Sequence, residues 1–428
     1  MTDATVEMPL LIGRCPACPD PYTSDGAAKC CVLPEEVSSR LNQIGSVDLL
    51  IGLIGQGDVE SEILSQVTSL RPSLAKLRTA LILPGVGTAH DPPTAERDAP
   101  AFQQALVIRA PSQEISPIFL TLEAGHALNA RACVIVDPDT TGLSSSWLDA
   151  VVAPILQEGY DCVLPSYARC GHDGLLIDTL LYPLTQMLFG HDLRQPQGCA
   201  VGLSSRLLNR IRRPPVWDGH VCSGPIALWS TAAALAGEYR LAQPVFSDGI
   251  GSEPNCSENW ESAFVSIMQT VFAIMQAFGM AWKHKRIVSP VAVKAPGPTS
   301  PQVALTPDVK ELIHACRSGI LRYTSDLRQI LTLASYLSID WLPSSDDASF
   351  SLPAVAWARI LFDFAVAYQR APLPSERVLP ALYPLYLGRA ASFLLETAGL
   401  SDGAKESAIR KQSRSFTMLK EELVERWQ

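Results

Sequence analysis

The stretch RACVIVDPDTTGLSSSWLDAVVAPIL, Arg131 to Leu156, sets Asp137 and Asp139 around a single proline, directly after an apolar run. Carboxylates at the tip of a buried strand are costly to desolvate unless a cation sits beside them. Two of them one residue apart offer oxygen donors to a hard divalent ion, magnesium or manganese. Asp-x-Asp alone is a weak signal, because turn chemistry accounts for most such pairs. Here an apolar strand precedes the pair and a capped helix carrying Trp147 follows it, which is the setting of a site. A second group, Cys15, Cys18, Cys30 and Cys31, has the Cys-x-x-Cys spacing that suits zinc. Adjacent cysteines make awkward tetrahedral ligands and no second Cys-x-x-Cys follows, so a reduced tail is favoured over zinc. Cys133, Cys162, Cys199 and Cys316 each stand among apolar neighbours and read as reduced core thiols.

The elements that must position the aspartates are legible around them. VDLLIGLIG (47–55), TALILPG (79–85), ACVIVDPD (132–139) and DCVLPSY (161–167) read as buried strands of a largely parallel sheet. Helix-like segments such as Glu60–Thr68 and Ser145–Leu156 lie between them, the second following TTGLSSS, which supplies N-caps. This alternation predicts an α/β fold with ligands at the carboxyl ends of the strands. Beyond Glu258 the apolar residues recur at helical spacing, in ESAFVSIMQTVFAIMQAFGMAW, LPAVAWARILFDFAVAYQ and LYPLYLGRAASFLLETAG. The proline-rich SPVAVKAPGPTSPQVALTP (289–307) reads as a linker or an extended strap. Three regions follow: a cysteine-containing extension over 1–45, an α/β domain over 46–255 and a helical domain over 256–428.

A chain of 428 residues, 47% hydrophobic and 18% charged, belongs to the globular class. Its net charge of −9, with no long basic run to offset it, excludes a general nucleic-acid binder. The short basic runs Arg210–Arg213 and Lys283–Arg286 read as solvated faces. Met8–Gly13 is too short and lacks the basic flank of a signal peptide. Ala263–Trp282 is the strongest membrane candidate, yet its Met, Gln, Ser and Thr content fits a buried helix better. A cytoplasmic protein without a membrane span is expected, and its apolar C-terminal helices permit a homodimer.

The segments VDPDTTGLSSSWLDAVVAPIL, YDCVLPSYARCGHDG, YPLTQMLFGHDLRQPQGCAVGLS and STAAALAGEYRLAQP carry a wider likeness in their order and spacing. From about Asp48 to Trp427 the chain resembles the retaining glycosyltransferases of the GT-A fold, in particular the mannosylglycerate synthase and glucosyl-3-phosphoglycerate synthase group. LYPLYLGRAASFLLETAGLS resembles their helical tail. The resemblance implies a GT-A sandwich that transfers a hexose from a nucleotide-sugar donor to a small-molecule acceptor. By the same resemblance Asp137 and Asp139 would hold the divalent metal and the donor diphosphate. Arg169, Asp173 and Gly174 would border the sugar, and Arg194, Gln195 and Gly198 would shape the donor and acceptor cleft.

Several features of that family are replaced here. The first strand leads into LIGQGDVES (53–61) without the usual Asn, and the second into LILPGVGTAHD without the Asp that grips the nucleoside. The Gly-Gly-acid after Gln-Pro is Gly198-Cys199-Ala200, and the acid expected before Leu228-Trp229 is Ala227. The metal-binding His is replaced by Gly251 in FSDGIGSEP, where Asp248 or Glu253 are the oxygen donors within reach. His172 and His220 are candidates for acceptor handling, although a lone His is more often structural. Two readings stay open: an active transferase using front-face attack with altered specificity, or a GT-A domain that has lost catalysis and binds or scaffolds. A nucleotidyltransferase is disfavoured, because no Gly-rich loop with a following Lys or Arg opens the first strand. Where relatives grip a phosphorylated acceptor with Arg and Thr, this chain reads Asp173-Gly174-Leu175-Leu176-Ile177-Asp178. That predicts an acceptor that is neutral or carries only a carboxylate.

Overall fold

A computed structural model describes residues 33, 35–54, 70–74, 77–83, 105–109, 116–137, 140, 143–167, 171–212, 225–246, 260–286, 288–296 and 307–427. Met8–Gly13, Cys15, Cys18, Cys30, Cys31, Glu60–Thr68, Asp139, Arg169, His220, Asp248, Gly251 and Glu253 lie outside the described residues, as do the side chains of His172 and Asp173. In chain order the strands are β1 (Leu49–Leu53), β2 (Thr79–Leu83), β3 (Ala105–Arg109), β4 (Ala132–Val136), β5 (Cys162–Val163), β6 (Ser166–Tyr167), β7 (His191–Asp192), β8 (Ala200–Ser204), β9 (Leu241–Phe246), β10 (Ser289–Pro290) and β11 (Ala292–Pro296). The helices that matter for the site are α1 (Pro117–Ala127), α2 (Ser145–Glu158), α3 (Gly171–Leu176), α4 (Tyr182–Phe189), α5 (Ile226–Ala236), α6 (Ala354–Arg370), α7 (Ser375–Thr397), α8 (Asp402–Met418) and α9 (Lys420–Arg426). A π turn at Ile177–Leu181 joins α3 to α4. The fold is mixed α/β with parallel strand pairing and a mostly helical C-terminal region.

The chain divides into two compact units, the first made of Met1–Pro138, Ser144–Asp161 and Gly202–Ile226. Within it the strands run in the order β4-β1-β2-β3, all parallel. β1 and β4 are apolar and buried at every position, as strands covered on both faces must be. Their register pairs Leu49 with Ala132 and Leu53 with Val136. Gly52 in β1 is required by packing: a Cβ there would lie 2.3 Å from the Thr121 side chain of α1. The start of α1 is set by Pro117 and by Ser116, whose Oγ accepts the Phe119 N–H. α2 starts where the Trp147 N–H donates to the Ser144 hydroxyl, 3.2 Å away, and ends at Gly159 with φ of 70°.

The second unit comprises Asp139–Leu143, Cys162–Val201 and Ala227–Gln428. There β9 is flanked by β11 and β5, and β6 also pairs with β9, every pairing parallel. The single strand expected over 161–167 is broken at Leu164-Pro165, since proline has no N–H for the ladder. Both halves keep one register, Cys162 opposite Leu241 and Tyr167 opposite Phe246. The proline-rich stretch after 288 also differs from a free linker: β10 pairs with β7 and β11 with β9. Pro290 and Pro296 are compatible with this because edge strands tolerate proline.

The tail helices grip the π turn and α4. The Trp357 indole N–H donates to Thr179 O at 2.8 Å and the Gln412 amide to Asp178 O at 2.7 Å. The buried Lys420 ammonium donates to Met187 O (2.7 Å), Leu188 O (3.1 Å) and Lys285 O (2.6 Å), capping the end of α4. Residues 162–201 and the tail belong to this one unit. The 260–282 stretch is helical, with Phe264, Met268, Phe272 and Trp282 buried as core. Among the described residues α7 is long and apolar enough to cross a membrane by length and composition, and 78% of its apolar window is buried inside the protein. Cys133, Cys162 and Cys316 are buried thiols in no disulfide, and burial pushes Cys133 and Cys316 up to about 12. Cys199, expected among them, is a free thiol only half-buried, because it lies in the irregular run before β8.

Candidate functional site

Asp137 stands at the carboxyl edge of the first unit's sheet. β4 ends at Val136, whose carbonyl accepts the Ile54 N–H at 3.0 Å, and Asp137 follows at once, half-buried. Parallel strands bring all their carboxyl ends to one edge, so a carboxylate there is placed by topology. It is a hard oxygen donor, of the kind that magnesium and manganese take. Among the described residues no three His, Cys, Asp or Glu side chains gather into a metal-holding group. The donor set expected from the sequence therefore rests on Asp137 together with Asp139.

In the second unit Thr140 lies against the segment expected to shape the cleft. Thr140 is fully buried, and its hydroxyl lies 3.5 Å from the Cys199 carbonyl, at the outer limit of a hydrogen bond. Gln195 sits four residues before Cys199 and faces the end of β6. Its Oε1 accepts the Tyr167 N–H at 3.1 Å, while its Nε2 donates to Tyr167 O at 2.5 Å. The backbone of this segment is held as well: Gln243 Nε2 donates to Gln195 O at 3.0 Å, and Thr231 Oγ1 to Pro196 O at 2.9 Å. The run Gln195–Cys199 thus meets Tyr167 at its start and Thr140 at its end.

Arg194 is engaged within the protein. Its Nη2 meets Asp178 Oδ1 at 2.7 Å, its Nε meets Glu406 Oε2 at 3.2 Å, and its guanidinium lies 4.9 Å from the Tyr182 ring centroid. Burial opposes the guanidinium charge, but Asp178 and Glu406 outweigh it and raise the Arg194 pKa. Burial pushes the Asp178 carboxyl up, against the pull of Arg194. The positive charge at 194 is thereby met by two carboxylates, and the pair rivets the π turn to the Gln195 segment. Gly174 lies half-buried in α3, whereas Leu175, Leu176 and Ile177 fill core. Ala227 is buried in α5.

Gly198 is not demanded by the fold. A Cβ there would meet Pro165 O at 3.4 Å and Ala200 O at 3.5 Å, ordinary contacts, and its φ lies outside the left-handed region. Gly198→Ala is expected to change unfolding free energy by no more than about 0.5 kcal/mol. If a ligand closes on this backbone, the same variant loses ligand affinity at unchanged stability. A stability loss above roughly 1 kcal/mol in a denaturation curve would instead assign the glycine to the fold.

Sequence reading missed the parts played by Tyr167, Asp178, Thr231 and Gln243. Gln243 carried the one available signal, a carboxamide inside the apolar run of β9, where a buried polar group must find a partner.

No protein-family model matches the chain, and no curated protein matches it. Among solved structures the chain is similar to glucosyl-3-phosphoglycerate synthase from Mycobacterium tuberculosis, at 18% identity and a TM-score of 0.39, over 56% of this chain and 85% of that one. It is similar to the same enzyme in complex with Mn2+, uridine diphosphate and glucosyl-3-phosphoglycerate, at 16% identity and a TM-score of 0.39, over 58% and 86%. It is likewise similar to that enzyme with Mn2+ and uridine-diphosphate-glucose, at 17% identity and a TM-score of 0.38, over 58% of this chain and 85% of that chain.

Proposed function

We propose that the protein is a GT-A glycosyltransferase moving a hexose from a nucleoside-diphosphate sugar to a small hydroxylated acceptor with retention. The observation that carries this reading is Asp137, half-buried directly after β4 at the carboxyl end of a parallel strand, where ligands of such sheets bind. Asp137 and Asp139 would hold magnesium or manganese, which offsets the charge growing on the departing diphosphate. Arg169, Asp173 and Gly174 would border the sugar, and Gly198 leaves backbone open to it. The sequence offers no match to a nucleophilic carboxylate, so the acceptor hydroxyl is taken to attack from the face that the diphosphate leaves. The protein acts in the cytoplasm and its helical tail supports a homodimer.

The acceptor is neutral or carries only a carboxylate. Leu175, Leu176 and Ile177 are buried and Arg194 is already met by two carboxylates, so among the described residues of this stretch no cation is left for a phosphate dianion. A missing charge-assisted hydrogen bond is worth ~1.5–3 kcal/mol. Transfer to 3-phosphoglycerate is therefore expected to be about 10- to 100-fold less efficient than to glycerate, in an assay with UDP- and GDP-sugars and manganese. Equal efficiencies would refute this acceptor assignment.

A second reading, a degenerate GT-A module that binds without turnover, is favoured by one observation. Ala227 is buried in α5 and Gly198-Cys199-Ala200 supplies no carboxylate, so two acids of the family are replaced. The same panel decides: manganese-dependent binding with no transfer or hydrolysis selects the second reading.

A further inference from the structure

We propose that Gln195 is a positioning residue whose side chain acts as a one-residue strand against Tyr167, fixing the end of β6; its functional consequence rests on the reading above. The carboxamide gives its oxygen to the Tyr167 N–H and its nitrogen to the Tyr167 carbonyl, at 3.1 and 2.5 Å. That is the donor and acceptor pattern by which a neighbouring strand pairs with a residue.

β6 needs such a partner. It is two residues long, it follows Pro165, which has no N–H, and among the described residues the strand it pairs with is β9. Tyr167 is buried and its ring stacks on Phe246, 5.7 Å between centroids at 24°. The ring is thus fixed from β9, and the peptide groups from Gln195.

Gln195 is itself aimed from several sides. Gln243 and Thr231 hold the carbonyls of Gln195 and Pro196, and Asp178 and Glu406 hold Arg194. Both functional atoms of the carboxamide are engaged by the backbone of one residue, Tyr167, so Gln195 acts through it, and the chain continues from Tyr167 into 168–170 with Arg169 two residues on. A shorter Asn would not span the gap, and a Glu would set a carboxylate against the Tyr167 carbonyl with no proton to offer.

The test uses Gln195→Met, which keeps length and bulk but loses both hydrogen bonds, and Gln195→Glu, which keeps the acceptor and loses the donor. Amide hydrogen exchange at Tyr167 in the full-length protein should rise at least tenfold in Gln195→Met and by a smaller factor in Gln195→Glu. In the manganese and sugar-nucleotide assay kcat should fall in the same order, with the donor KM changing less than kcat. Unchanged exchange at Tyr167 in both variants overturns the proposal, and so does raised exchange with kcat unaltered. If the native protein itself shows no transfer, the transferase reading fails on its own, and the exchange at Tyr167 still decides whether Gln195 positions that strand end.

Discussion

Replacing Asp137 and Asp139 together by Ala is expected to abolish manganese-dependent binding of a sugar nucleotide while the fold survives. Asp137 is half-buried at a strand end, immediately after the last ladder residue of β4, so its loss leaves the buried ladder of Ala132–Val136 intact. The effect on ligand is large, because a hard cation is held by few protein oxygens and each one counts. Removing even a residue that only orients a metal ligand costs about 10- to 100-fold in metal affinity, so losing both carboxylates should exceed 100-fold. Titration calorimetry with UDP- and GDP-sugars, with and without manganese, measures it, and circular dichroism checks the fold. Binding that survives in the double variant would remove the metal role of this pair and the transferase reading with it.

Arg389→Ala is expected to be the most destabilising single substitution in the helical tail, at about 3 kcal/mol or more. Arg389 is completely buried in α7. Its guanidinium donates to Glu396 through two bonds of 2.7 and 2.8 Å, to Gln412 Oε1 at 2.8 Å and to Leu352 O at 2.7 Å. Glu396 is 45% exposed and can rehydrate when the arginine is gone. Gln412 and the Leu352 carbonyl would lose their partner inside the core, where an unpaired polar atom costs ~1–3 kcal/mol. Arg389→Lys should recover only part, since one ammonium cannot reproduce a planar fork that serves three groups. The damage should also travel: Gln412 holds Asp178 O, and Asp178 holds Arg194. A denaturant unfolding curve gives the cost, and a value below roughly 1 kcal/mol would show that the network contributes little.

Much of the α/β half was legible beforehand, and the reasons are local. β1 and β4 announce themselves because a strand buried on both faces must be apolar at every position. The start of α2 could be read from the Ser144 cap. Asp137 at the end of β4 follows from the same run of letters. β3, β8 and β9 were harder to see, because short apolar runs do not separate strand from helix by periodicity. The break at Pro165 within 161–167 needed the register on β9 to become visible.

What the amino-acid order alone determined is therefore the fold class, Asp137 at a strand end and the helical character of the tail, each a property of neighbouring residues. What only the tertiary structure decided is what the polar side chains do. Arg194 read as a cleft residue and is met by Asp178, 16 positions before it, and by Glu406, 212 positions after it. Gln195 read as a ligand contact and pairs with the backbone of Tyr167, 28 positions away. A hydrogen bond or an ion pair forms within about 3 Å in space whatever the separation along the chain, so a side chain's partner within the protein is settled only when the chain folds.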